Sequence, residues 1–159
     1  MRHSLGRAMN KPRFSELTVT EELWKETQLA AAREIVSQLC PSEAWSPIRL
    51  EALDRAWRVW ITSKETDKQK IKDHINAFGV AFGELLVDSG VFAWVIVTDD
   101  YGTDLGVRAL PNRGDASVVP ADFVGKRWDR KETDFIVDGY SAILDHVEKL
   151  KAEWDNAKK

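Results

Sequence analysis

Cysteine is almost absent from this chain: Cys40 is the only one in 159 residues. An intramolecular disulfide and a cysteine-based zinc cage are therefore excluded. Cys40 stands in QLCP at the end of an apolar-periodic stretch, which predicts a buried structural thiol rather than a nucleophile. Histidine is nearly as scarce. His3, His74 and His146 lie far apart with no HxH, HExxH or HxxE spacing, so no metal site and no cofactor is expected. Long apolar runs are missing too. The longest, Val91 to Val97, falls well short of the roughly 20 residues a membrane span needs. There is no GxSxG, Walker loop or GxGxxG, and Gly102-Thr-Asp-Leu-Gly106 lacks the following helix that a dinucleotide loop requires.

Basic residues are in deficit once the first turn of sequence is set aside. Arg2, Arg7, Lys11 and Arg13 carry four positive charges with no acid among residues 1–13, whereas the whole chain is −3 and the remainder therefore −7. The basic segment lacks the apolar centre of a secretory signal and reads as a flexible tail, with residues 14–159 as a single domain. A cytoplasmic location in a bacterium is the expectation that follows. An acidic body argues against nucleic acid as the main partner, because neutralising phosphates needs clustered Lys and Arg. The seven tryptophans do not reverse this. Trp24, Trp57, Trp60 and Trp154 fall on helical apolar stripes, where core packing is expected rather than base stacking.

What the chain does have is strong periodicity. The Thr18-Val-Thr-Glu21 capping signal opens a first helix over about 21–39, with Trp24, Ala31, Ile35 and Leu39 as its apolar face. Ser46-Pro47 is expected to start a second helix, with stripe Leu50, Leu53, Trp57, Trp60 and Ile61. A third runs over about 67–89, its stripe Ile71, Ile75, Phe78, Phe82 and Leu85 stepping by four, three, four and three before Gly90. VFAWVIV is apolar on both faces and suits a central strand; LGVRAL and ASVV make two more. A short helix near 122–128 and a long one over about 133–154 complete the chain. Ile136, Tyr140, Ile143, Val147, Leu150 and Trp154 alternate by four and three along the last helix, which suits packing on this domain or on a second copy in a homo-oligomer. The order α-α-α-β-β-β-α-α predicts an α+β fold, a small antiparallel three-stranded sheet packed with about five helices.

Polar chemistry concentrates at TDDYGTD, residues 98–104. With Gly102 as the sixth position of a calcium loop, the first, third, fifth and twelfth hold Val97, Asp99, Tyr101 and Arg108, and an arginine where the bidentate acid belongs rules that loop out. A hairpin turn fits better, with Gly102 at positive φ and Asp99 accepting backbone amides, although a functional acid patch stays open. Glu84 is the second acid of interest. It sits beside Gly83 among Val80, Ala81 and Val87, where a carboxylate needs a partner. Arg108, or the Lys126-Arg127 pair, is expected to supply a structural ion pair; the functional alternative is a general acid or base in a crevice between the third helix and the sheet. Gly79 and Gly83, one turn apart, let another backbone approach closely.

The stretch from Asn76 to Trp128 resembles a bacterial family described only as a domain of unknown function. The likeness rests on AFGxxFGE at Ala77 to Glu84, WxVxxDxxG from Trp94 through Asp99 to Gly102, the strand Val118 to Pro120, and VxKR at Val124 to Arg127. It implies a small α+β domain without an assigned activity and carries no catalytic residues with it. Two classes of function follow. The first is a non-enzymatic interaction domain of adaptor or immunity type, its partner another protein rather than nucleic acid or membrane. The second is an enzyme of unfamiliar type using Glu84, Asp99 and Arg108. Glu84, Asp99, Tyr101, Arg108, Lys126 and Arg127 are the candidate binding residues.

Overall fold

A computed structural model describes residues 11–43 and 48–157. In chain order it contains β1 (Arg13–Ser15), α1 (Val19–Leu39), α2 (Leu50–Thr62), α3 (Lys68–Asp88), β2 (Ala93–Asp99), β3 (Gly102–Ala109), β4 (Ala116–Val118), α4 (Pro120–Asp129) and α5 (Ile136–Ala157). The α+β class holds, but the sheet is antiparallel with four strands in the order β1-β2-β3-β4. The added strand is the three-residue β1, whose Phe14 pairs with Val97. Three residues show no alternation to read, and Arg13, expected in the tail, begins it. Its partner also lies far away in sequence.

Local chemistry explains the helix ends. Glu21 accepts the backbone N–H of Thr18 at 2.9 Å, one arm of the capping box that starts α1. Asp67 caps α3 by accepting from the amides of Gln69 and Lys70 at 2.9 and 3.2 Å. Pro120 opens α4 at the position where its missing N–H costs nothing. The second helix begins at Leu50; the expected Ser46-Pro47 start lies outside the described residues.

Trp57 organises the core. It is fully buried and meets Trp60, Phe78 and Phe135 edge-on at centroid distances of 5.4, 5.3 and 4.9 Å. Its indole N–H donates to the carbonyl of Glu132 at 2.7 Å, whereas the buried indole N–H of neighbouring Trp60 has no hydrogen-bond partner among the described residues. Trp60 stacks on Trp128 at 4.0 Å, tying α2 to α4. Helix α3 runs through the middle, with every residue from Ala77 to Gly83 buried. Gly79 is what lets α4 lie against it: a Cβ there would stand 2.8 Å from the Ala121 Cα. The close approach expected from the glycine pair is thus real.

Two expectations for α1 need correction. Its fully buried row is Leu29, Ala32 and Val36 together with Lys25. Of the expected face, Ala31, Ile35 and Leu39 pack partly buried against this core, whereas Trp24 is 39% exposed. Both rows step at helical spacing, so periodicity alone does not choose between neighbouring faces. Cys40 is half-buried rather than buried, because it caps the end of α1, its N–H donating to the Val36 carbonyl at 2.7 Å.

Candidate functional site

Strands β2 and β3 meet in a tight hairpin, Asp99 opposite Gly102 with Asp100 and Tyr101 between them. Asp99 Oδ1 accepts the Tyr101 amide at 2.8 Å, Gly102 adopts φ 130°, and the Thr98 and Thr103 hydroxyls lie 3.3 Å apart across the strands. TDDYGTD is therefore built as a turn. Its acids border a small hollow shared with Lys11 and Arg13, and Tyr101 projects into solvent. Among the described residues no group of three His, Cys, Asp or Glu side chains is arranged to hold a metal.

Glu84 is half-buried on α3 and accepts the Trp94 indole N–H at 3.2 Å. The expected cation is elsewhere. The register sets Ala93 opposite Arg108 and Trp94 opposite Val107, so Trp94 and Arg108 leave opposite faces of the sheet. Arg108 instead donates from Nε and Nη2 to Asp115 Oδ1 at 3.0 and 2.6 Å and lies over the Phe14 ring at 4.1 Å. Arg127 stacks on Phe123 at 3.9 Å and donates to its carbonyl at 3.3 Å; burial lowers its pKa. Lys126 is exposed on α4. Of the six candidates, Asp99 and Tyr101 meet in the turn and Lys126 and Arg127 are neighbours on α4. Glu84, Asp99 and Arg108 stand in three separate places, and no single crevice gathers them.

A cavity that the sequence did not announce lies on the helix-covered face of the sheet. Its volume is about 520 Å³, within the usual range for ligand sites. Helices α1 and α3, the sheet and the start of α4 wall it. Helix α1 contributes Thr20, Glu21 and Trp24; α3 contributes Asn76 and Val80; the sheet contributes Trp94, Ile96 and Thr103 to Leu105; and Val119 to Ala121 close the end. Trp94 reaches the cavity because Gly83 leaves room for its ring, a Cβ there falling 2.5 Å from Trp94 Cη2. Lys25 stands 5.7 Å from the Trp94 ring centre and pairs with Glu22 at 3.0 Å. The Thr18 backbone N–H, followed by its hydroxyl, holds the Glu21 carboxyl below its usual pKa, so it is ionised at neutral pH. Beside the cavity, α1 exposes Val19 and Leu23, at 76% and 64% of their surface. The sequence signal was present in that second apolar row, out of phase with Leu29, Ala32 and Val36.

Among solved structures, a crystal structure of a protein from Bacteroides thetaiotaomicron VPI-5482 is similar, with a TM-score of 0.67 and 14% identity. The match covers 87% of this chain and 49% of that one, so the chain spans about half the length of that protein, and the likeness is one of fold. No curated protein matches the chain. The model of the family described as a domain of unknown function (DUF3806) matches residues 53–140, more than half of the sequence. That span includes the α3 and sheet walls of the cavity, while Thr20, Glu21 and Trp24 come from α1 outside it.

Proposed function

The chain belongs to that family, and from this premise we propose that it is a non-enzymatic binding domain that engages another protein through the cavity and the adjoining apolar row of α1. The observation that carries this reading is the exposed pair Val19 and Leu23 on α1 next to Trp24, which walls the cavity of about 520 Å³. Large apolar side chains held in water at the edge of a concavity are the usual mark of an interaction surface. The acid–base alternative lost its support with the separation of Glu84, Asp99 and Arg108. No described helix is long and apolar enough to cross a membrane.

Peptide display against the full chain tests the reading. Peptides selected from a random library are expected to lose binding to Leu23→Asp and Trp24→Ala but to keep it for Val59→Asp, a change at an exposed apolar residue on α2. Peptides that bind all three variants as they bind wild type, or a library that yields none, would refute it.

A further inference from the structure

The chemistry of the cavity narrows what enters it. Among the described lining residues there is no lysine, arginine or histidine, and the carboxylate on the α1 side is Glu21. Asp104 lines the cavity from β3, where the register turns its side chain to the face of Arg108, opposite Trp94. The apolar walls include two indoles, Trp24 and Trp94, whose ring faces attract cations. Lys25, paired with Glu22 and Glu26, already lies 5.7 Å from the Trp94 ring centre. The charge left for an occupant is therefore that of Glu21 beside the Trp24 face, which a cation complements and an anion does not. The surface that continues from the cavity repeats the pattern. On α1 the exposed apolar pair Val19 and Leu23 is flanked by the exposed acids Glu22 and Glu26.

Resting on the reading above, we propose that the occupant is a lysine- or arginine-bearing segment of a partner protein, with apolar side chains over Val19 and Leu23 and one cationic side chain in the cavity lined by Trp24, Trp94 and Glu21. The apolar row supplies contact area, and the acidic, aromatic cavity supplies selectivity for the cation. A neutral or acidic segment of the same shape would keep the first and lose the second.

The test uses the full chain and a fluorescent short peptide of alternating leucine and lysine, compared with versions carrying glutamine or glutamate in place of lysine. Glu21→Gln is the informative variant, because glutamine still completes the capping box while the charge is gone. Fluorescence anisotropy should show saturable binding of the lysine peptide, weakened by added salt. Affinity should fall about two- to fivefold with Glu21→Gln, the range of one exposed ion pair. It should also fall by about two- to fivefold or more with Trp24→Ala, from loss of a cation–π contact. The control Glu148→Gln, on the far helix α5, should change nothing. Equal binding of the lysine, glutamine and glutamate peptides with continued dependence on Leu23 would overturn the cationic occupant while leaving the interaction reading intact. Binding indifferent to Leu23→Asp and Trp24→Ala would remove both. Lysine-peptide binding that responds equally to Glu148→Gln and Glu21→Gln would reduce it to general attraction by an acidic body, and this proposal would fall.

Discussion

Replacing Gly79 by alanine sets two well-defined effects against each other. Alanine is the better helix former by about 1 kcal/mol, so on propensity alone the variant gains stability. The added methyl, however, would lie 2.8 Å from the Ala121 Cα and 2.9 Å from its backbone nitrogen. That is roughly 0.7 Å inside the separation at which carbon atoms sit comfortably. The obstacle is main chain, so no rotamer change relieves it; α4 must shift away from α3, and the Trp60–Trp128 stack shifts with it. Overpacking of this kind costs about 1–3 kcal/mol, and a rigid backbone obstacle belongs in the upper half of that range. The net expectation is a loss of about 1–2 kcal/mol, or a melting temperature lower by about 2–8 °C for a chain of this size. Gly125→Ala is the internal control. Its methyl would meet Ile75 Cγ2 at 3.6 Å, an ordinary contact, so the helix gain of up to about 1 kcal/mol should survive. Urea unfolding followed by tryptophan fluorescence measures both. If Gly79→Ala matches or exceeds wild type, or if Gly125→Ala loses as much, the argument from close helix approach is wrong.

Glu84→Gln should cost less than about 1 kcal/mol in the same assay, because the amide oxygen can still accept from Trp94 and no ion pair is broken; a loss of several kcal/mol would mean a buried charge partner after all. Glu21 has a folded-state pKa below its usual 4.5, so its charge stabilises the fold fully above that value and progressively less as the pH falls through the lowered one. The stability advantage of wild type over Glu21→Gln should therefore be constant at neutral pH and vanish in acid; an advantage that grew in acid would contradict the sign. Millimolar calcium should leave the thermal midpoint unchanged, since Asp99 Oδ1 is engaged with the Tyr101 amide. An upward shift abolished by Asp99→Asn would show a bound ion.

The parts of the fold that were legible in the sequence are those whose apolar pattern has one solution. Leu53, Trp57, Trp60 and Ile61 form a single row and are all buried. Asp99 to Gly102 carry the residue types of a turn, and the hairpin forms there. In helix α1 the row Trp24, Ala31, Ile35 and Leu39 is as plausible as Leu29, Ala32 and Val36; the packing partner α3 buries the second fully and the first only in part, leaving Trp24 outside. The partner of Glu84 was hidden for a different reason. Which face of a strand Arg108 occupies depends on the register of β3 against β2, and a shift of one residue reverses it. The cavity was invisible because its walls are gathered from residues 20 to 121, and no local pattern encodes a space.

The short strand β1 also bears on how the chain folds. Phe14 pairs with Val97, roughly eighty residues further along, and closing a flexible loop of that length costs about 4 kcal/mol in chain entropy. Three residues of ladder cannot repay that in an otherwise unstructured chain. The β2–β3 hairpin, whose ends are adjacent, and the packing of α1 on α3 must come first, shortening the span that β1 has to close. The edge strand is thus expected to join the native state late and to be the first piece to open when the folded molecule breathes.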